Sequence, residues 1–142
     1  MSLFAALQVS ASGMQAERTR AEMLVENMAN TETTRTPQGG PYKRKDVVFS
    51  SELQESPFSA VFQNELATGV TVSDITEDNS APEMRYMPNH PDANADGYVA
   101  FPKMNPAEDM ADLLNTTRSY QANIAAMTAV KDMITHSIDL LK

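Results

Sequence analysis

Residues 105–142 read NPAEDMADLLNTTRSYQANIAAMTAVKDMITHSIDLLK, and the length over which one apolar rhythm persists there decides the fold. Asn105 is suited to cap a helix, Pro106 to hold its first position and Glu108 to complete a capping-box-like start. The first N–H groups of a helix need outside acceptors, and proline brings no N–H to satisfy. From there Met110, Leu113, Thr117, Tyr120, Ile124, Met127, Lys131, Ile134, Ile138 and Leu141 keep alternating steps of three and four. Only Thr117 and Lys131 interrupt the apolar seam, so one helix is predicted to the end of the chain. At about 1.5 Å per residue it reaches about 54 Å, beyond the roughly 30 Å span of a small domain. Part of its stripe therefore needs a partner of similar length.

The other end of the chain has a matching rhythm. Leu3, Leu7, Ser10, Met14, Glu17, Ala21, Leu24 and Met28 step by four and three, which predicts a helix over residues 2–29 with Asn30 as its C-terminal cap. Gly13 weakens that helix by about 1 kcal/mol relative to alanine, or else marks a close approach of a second helix. Between the two, Pro37, Pro41, Pro57, Pro82, Pro88, Pro91 and Pro102 divide the chain into pieces too short for long helices. Strands are predicted over 42–49, 69–75, 83–87 and 98–101, with a long loop over 51–68. All aromatics except Phe4 and Tyr120 lie between Tyr42 and Phe101. The expected fold is mainly α: long N- and C-terminal helices (residues 1–35 and 106–142) packed as a coiled-coil-like core, with a small β-containing middle (residues 36–105) between them. The bland version of this is a helical hairpin in a monomer; the sharper one is a subunit whose ends are completed only on assembly.

Composition removes several function classes. A net charge of −8, carried mostly by the middle segment, argues against nucleic acid or an anionic membrane as principal partner, since both require a basic face. Lys43-Arg44-Lys45 is the only basic run and reads as the solvated start of a strand. With no cysteine, neither a disulfide nor a thiolate metal site is possible. No apolar run approaches the roughly 18 to 20 residues of a membrane helix, and MSLFAALQVSASG lacks the basic flank of a cleavable secretory signal. Direct membrane insertion is not expected, and export needs a route without such a signal.

Chemistry-bearing motifs are scarce. No nucleophile elbow, phosphate loop, dinucleotide fingerprint or zinc-protease helix is present. His90 and His136 fall in different segments, and pairs such as Asp74 with Asp78 or Glu108 with Asp112 are unspecific in an acidic chain. HPDANADGYV (residues 90–99) places Asp92, Asn94 and Asp96 ahead of Gly97 as a calcium loop begins, but Lys103 stands where the bidentate carboxylate belongs. The better reading is a turn in which Asp and Asn accept from nearby amides and Gly97 takes positive φ. No catalytic residue, cofactor or metal is assigned. The methionines of the helical segments read as core filling, or as adaptable contacts to inequivalent neighbours.

Three ordered motifs carry a resemblance. Ala11-Ser12-Gly13-Met14, Asn27-Met28-Ala29-Asn30, Thr33-Thr34-Arg35-Thr36 and Gly39-Gly40-Pro41-Tyr42 resemble the N-terminal signature of bacterial flagellar rod and hook axial proteins. His90-Pro91-Asp92-Ala93-Asn94-Ala95-Asp96-Gly97-Tyr98-Val99 is similar to that family's central motif, and Arg118-Ser119-Tyr120-Gln121-Ala122-Asn123 to its C-terminal helix signature. The short length and motif order are those of proximal rod members. Where the family tends to carry Asn-Asn-Ile-Ala-Asn before Ala-Asn, this chain has Glu26-Asn27-Met28-Ala29-Asn30 followed by Thr31-Glu32. The resemblance implies a non-enzymatic subunit, exported uncleaved through the flagellar type III apparatus and assembled in the periplasmic rod. Its partners would be further copies of itself, other rod proteins and a FliE-type adaptor. The expected assembly interface is Leu3, Leu7, Met14, Leu24 and Met28 with Leu113, Tyr120, Ile124, Met127, Ile134, Ile138 and Leu141, within and between subunits. Two rival classes are a cytoplasmic helical-hairpin adaptor and a calcium-binding module.

Overall fold

The computed structural model describes residues 3–53 and 67–140. Helix α1 spans Leu3–Ala29, strands β1 and β2 span Lys45–Leu53 and Ala67–Glu77, β3 and β4 span Glu83–Tyr86 and Tyr98–Phe101, and helix α2 spans Pro106–Asp139. The expected class is the observed one: two long helices around a small β-containing middle.

Both helices end as their local chemistry dictates. Asn105, extended at φ −117° and ψ 103°, accepts from the Ala107 N–H at 3.2 Å, and Pro106 follows. Glu108 and Asp109 place negative charge in the first turn of α2, where the helix dipole favours it. At the end of α1, the Asn30 side chain donates to the Glu26 carbonyl at 2.9 Å and the Thr31 hydroxyl to the Met28 carbonyl at 2.9 Å. These two side-chain bonds reinforce backbone bonds from the Asn30 and Thr31 N–H groups to the same carbonyls.

The helices pack against each other. Gly13 meets Asn123, and Leu24 shares a hollow with Asp112, so residue numbers fall along one helix as they rise along the other. The pair is an antiparallel hairpin with the end of α1 beside the start of α2. Continuing that register, the last turns of α2 run past the described start of α1, and Ile138 and Leu140 are exposed there.

The middle consists of two separate two-stranded antiparallel sheets, β1–β2 and β3–β4. β1–β2 lies on α1, with register shifts between Val48 and Phe49 and between Glu52 and Leu53. The first strand begins at Lys45, later than the predicted residue 42. Tyr42 is drawn toward α1 instead, its N–H donating to the Thr33 carbonyl at 3.0 Å and its hydroxyl to Asn27. β1 and β2 also extend into the predicted 51–68 loop, where Ser51 pairs with Val70 and Leu53 with Ala67. Residues 54–66 of that loop lie outside the described residues. Strand β4 alternates as a half-buried strand should, with Val99 and Phe101 inward and Tyr98 exposed.

Candidate assembly interface

The faces of α1 and α2 that meet are built of small and polar residues more than of large apolar ones. Ser10, Ala16, Leu24 and Asn27 are buried on α1, and Asp109, Thr116 and Val130 on α2. With Asn123 against Gly13, the inward line of α2 is Asp109, Thr116, Asn123 and Val130, a step of seven throughout. Small residues let two backbones approach closely, and that is what the Gly13 contact requires. The predicted rhythm is present, but this inward line runs one residue before Met110, Thr117, Ile124 and Lys131. A rotation of about 100° per residue turns that single step into a different face.

The expected interface residues therefore divide. Leu24 is buried, and Leu7, Met14, Met28, Leu113, Met127 and Ile134 are partly covered. Leu3, Tyr120, Ile124 and Ile138 are exposed, with Ile124 at 44% and Ile138 at 53%. Leu141 lies outside the described residues. Phe4, Val9, Val25, Met110, Leu114, Met133 and Leu140 add exposed apolar surface on the same two helices. Isolated exposed apolar residues are ordinary; here they recur on both long helices.

The motif residues from Asn27 to Tyr42 gather at the base of the hairpin, whereas Arg118, Tyr120 and Asn123 lie midway along α2. Asn27, fully buried, accepts from the Tyr42 hydroxyl at 3.0 Å and the Lys45 N–H at 3.0 Å, and donates to the Lys45 carbonyl at 2.9 Å. Asn30 accepts from the Thr33 hydroxyl at 3.1 Å. Gly39 and Gly40, both with positive φ, lead through Pro41 to Tyr42 along a shallow hollow that Lys43 and Lys103 also line. The Thr34 hydroxyl donates to Asp92 at 2.8 Å, with Arg35 4.0 Å from the same carboxylate, so the N-terminal and central motifs meet. His90 Nδ1 accepts from the Asp92 N–H at 3.2 Å, and its neighbour Pro91 is exposed. Arg118 is exposed on α2, three positions before Tyr120's neighbour Gln121.

The 90–97 loop folds as the turn reading expects. Asn94 Oδ1 accepts from the N–H groups of Asp96 and Tyr98 at 3.0 and 2.8 Å, and Gly97 has φ 79°. A Cβ at Gly97 would stand 2.9 Å from the Tyr86 ring, so glycine is required there twice over. Tyr86 and Tyr98 pack edge to face at 5.3 Å. No group of three metal-ligating side chains occurs among the described residues. No described helix is long and apolar enough to cross a membrane.

The basic run departs from its expected role. Lys43 is exposed, donating to Asn79 at 2.7 Å. Arg44, instead of being solvated, reaches Asp109 at 3.2 Å and Asp46 at 3.3 Å, while Lys45 pairs with Glu26 at 2.6 Å. Asp109 is fully buried, yet neither of its oxygens has a hydrogen bond of good geometry among the described residues. Charge proximity alone joins it to Arg44. Burial pushes the Asp109 carboxyl above the usual carboxylate range, the Arg44 guanidinium pulls it back, and Glu108, Asp112 and Asp46 add to the rise. Burial also pushes the Tyr42 hydroxyl up to about 12, helped by the charges of Glu26 and Glu77. An aspartate in a first helical turn reads from sequence as a dipole partner, so nothing in the sequence marked Asp109 as buried.

Comparison with known proteins places this arrangement. The family described as flagellar basal body rod FlgEFG protein C-terminal matches residues 95–140. The flagellar basal-body rod protein FlgC of Bacillus subtilis (strain 168) is 40% identical, over 100% of both chains. That of Borreliella burgdorferi is 32% identical over 100% of this chain and 99% of its own. That of Escherichia coli O6:H1 is 31% identical over 99% of this chain and 98% of its own. The chain belongs to the FlgC family of flagellar basal-body rod proteins.

Proposed function

We propose that this chain is a structural, non-enzymatic subunit of the proximal rod of the bacterial flagellar basal body. Its two helical segments, residues 1–35 and 106–142, form the inner layer of a helical assembly, and residues 36–105 form its outer part. In this reading the inner layer lines the export channel and carries motor torque from subunit to subunit. Neighbours are further copies, other rod proteins and a FliE-type adaptor, and the chain reaches them uncleaved through the type III export apparatus.

The observation that carries the reading is the exposed apolar surface of α1 and α2 in a chain similar over its whole length to rod proteins. Each large apolar side chain covered by a neighbour contributes roughly 1.5 to 3 kcal/mol. A few per contact offset the entropy of ordering the helix ends. The test is Ile124→Asp and Ile138→Asp, each scored for swimming and for export of the chain. Loss of motility with export intact is expected, because the charge falls where a neighbour must pack. Normal swimming in both variants overturns the interface.

A further inference from the structure

The hollow beside Gly39 and Gly40 is built from the middle segment alone. Residues 39–44, residues 78–82 after β2, and Pro102 and Lys103 after β4 enclose a volume of about 270 Å³. None of its lining residues belongs to α1 or α2.

Its charge is opposite to that of the chain. Lys43, Arg44 and Lys103 line it against one carboxylate, Asp78, in a protein of net charge −8. Arg44 is answered by Asp46 and Asp109 at 3.3 and 3.2 Å. The two lysines are not. Both are exposed, Lys43 donates only to the neutral amide of Asn79 at 2.7 Å, and neither forms an ion pair among the described residues. Asp78 is occupied from its own side, accepting from the Ser80 N–H at 2.8 Å and the Ser80 hydroxyl at 3.0 Å. Those bonds hold its carboxyl below the usual carboxylate range, and the charges of Lys103 and Arg44 add to this.

The rest of the lining is apolar and stiff. Pro41, Pro82 and Pro102 bring fixed φ and no N–H. Tyr42 lies among them with its hydroxyl already donated to Asn27. Walls that need no ordering lose little entropy when something binds. At the rim, Gly39 and Gly40 have positive φ and no atom within 4 Å of where a Cβ would stand, so a second backbone can approach closely there.

We propose that this hollow binds an acidic, extended segment of a partner protein, with carboxylates at Lys43 and Lys103 and apolar atoms against the prolines and Tyr42. Nucleic acid and anionic membranes bind through many cations, whereas two free lysines on an acidic chain are too few. A small anion would use the lysines and leave the apolar walls wet, in a volume several times the roughly 30 Å³ of one water molecule. A short peptide uses both. Chains this acidic repel acidic neighbours at a distance, and a cationic hollow gives such a neighbour one place to dock. The site does not depend on the rod reading.

Amide NMR of the full chain at low salt, titrated with the blocked peptide acetyl-Glu-Asp-Pro-Glu-amide, tests the proposal. Saturable shifts are expected at Gly39, Gly40, Lys43, Ser80 and Lys103. The neutral peptide acetyl-Gln-Asn-Pro-Gln-amide should bind at least about tenfold more weakly, because it keeps the shape and loses the charge. Lys43→Ala combined with Lys103→Ala should weaken the acidic peptide by about tenfold or more, and Lys103→Ala alone by a few-fold, with the amides of α1 and α2 unmoved. Should the double variant not fold, Lys103→Ala decides. Equal binding of the two peptides, shifts centred on Arg18, Arg118 or Lys131 instead, or unchanged affinity in Lys103→Ala overturns the site. Displacement of the peptide by an equal concentration of inorganic phosphate, or by phosphatidylglycerol vesicles, overturns the peptide in favour of a small anion or a lipid surface. Absence of the chain from basal bodies would sink the rod reading and leave this titration unchanged, so the two fail separately.

Discussion

Gly13 lies against the side chain of Asn123, and a Cβ on the glycine would stand 3.2 Å from the Asn123 amide nitrogen. That amide also donates to the Ser119 carbonyl at 3.2 Å, so it can shift by a few tenths of an ångström without losing its place. Gly13→Ala sets a helix-propensity gain of about 1 kcal/mol against that shift, and the two are expected to cancel nearly. Gly13→Leu cannot be absorbed and is expected to cost about 1 to 3 kcal/mol by forcing the helices apart. Chemical denaturation of the three chains checks this. A Gly13→Leu chain as stable as the parent would show that the helices do not approach closely at this point.

Arg44 and Asp109 are expected to be unequal partners. Removing Arg44 leaves a fully buried carboxylate without its cation, so Arg44→Met should destabilise by about 3 kcal/mol. Asp109→Asn leaves Arg44 its second carboxylate, Asp46 at 3.3 Å, and removes a charge whose burial is unfavourable. The Asp109 carboxyl is raised in the folded chain. Its favourable contribution is therefore present while it is protonated, and is lost as pH rises through the folded value. At neutral pH Asp109→Asn should lie within about 1 kcal/mol of the parent, and Arg44→Met combined with Asp109→Leu should recover most of the single-variant loss. Equal damage from Arg44→Met and Asp109→Asn would contradict the asymmetry.

Tyr42 gives the base of the hairpin an alkaline limit. Its hydroxyl, ordinarily near 10, is pushed up to about 12 in the folded chain. The raised value means that stability is fully present below pH 10 and falls as the pH climbs toward 12, because the unfolded chain ionises first. A rise of that size corresponds to about 3 kcal/mol. Tyr42→Phe should remove this part of the alkaline loss, seen as a flatter stability profile above pH 10. An unchanged profile would mean that Tyr42 does not remain protonated and buried in the folded state.

Sequence periodicity read the architecture well and the details of contact less well. Asn105 and Pro106 announced the start of α2, and a step of three and four announced its length, because capping and amphipathic period are local properties. The phase was harder to read. Met110, Tyr120, Ile124 and Ile138 carry the apolar rhythm but stay exposed, while the close approach of the helices is Gly13 against Asn123, with the small or polar Ser10, Ala16 and Thr116 buried on the same two helices. Ser12 stands in an N-terminal motif, and its bridge between the Val9 carbonyl at 2.9 Å and the Val70 N–H at 3.0 Å joins residues far apart in the chain. The ion pair of Arg44 with Asp109 is invisible to periodicity for the same reason. Local spacing carries no information about which distant charge will be buried beside which.

The proposed subunit surface can be read one residue at a time, since the chain has no cysteine of its own. Single cysteines at Ile124 and Ile138, both exposed in the lone chain, are reacted with a water-soluble thiol reagent, first in dilute chain and then in purified basal bodies. A rod subunit shows rapid labelling when free and strong protection once assembled. Equal labelling in both states, or failure to find the chain in basal bodies at all, contradicts the proposal that neighbouring subunits cover these helices.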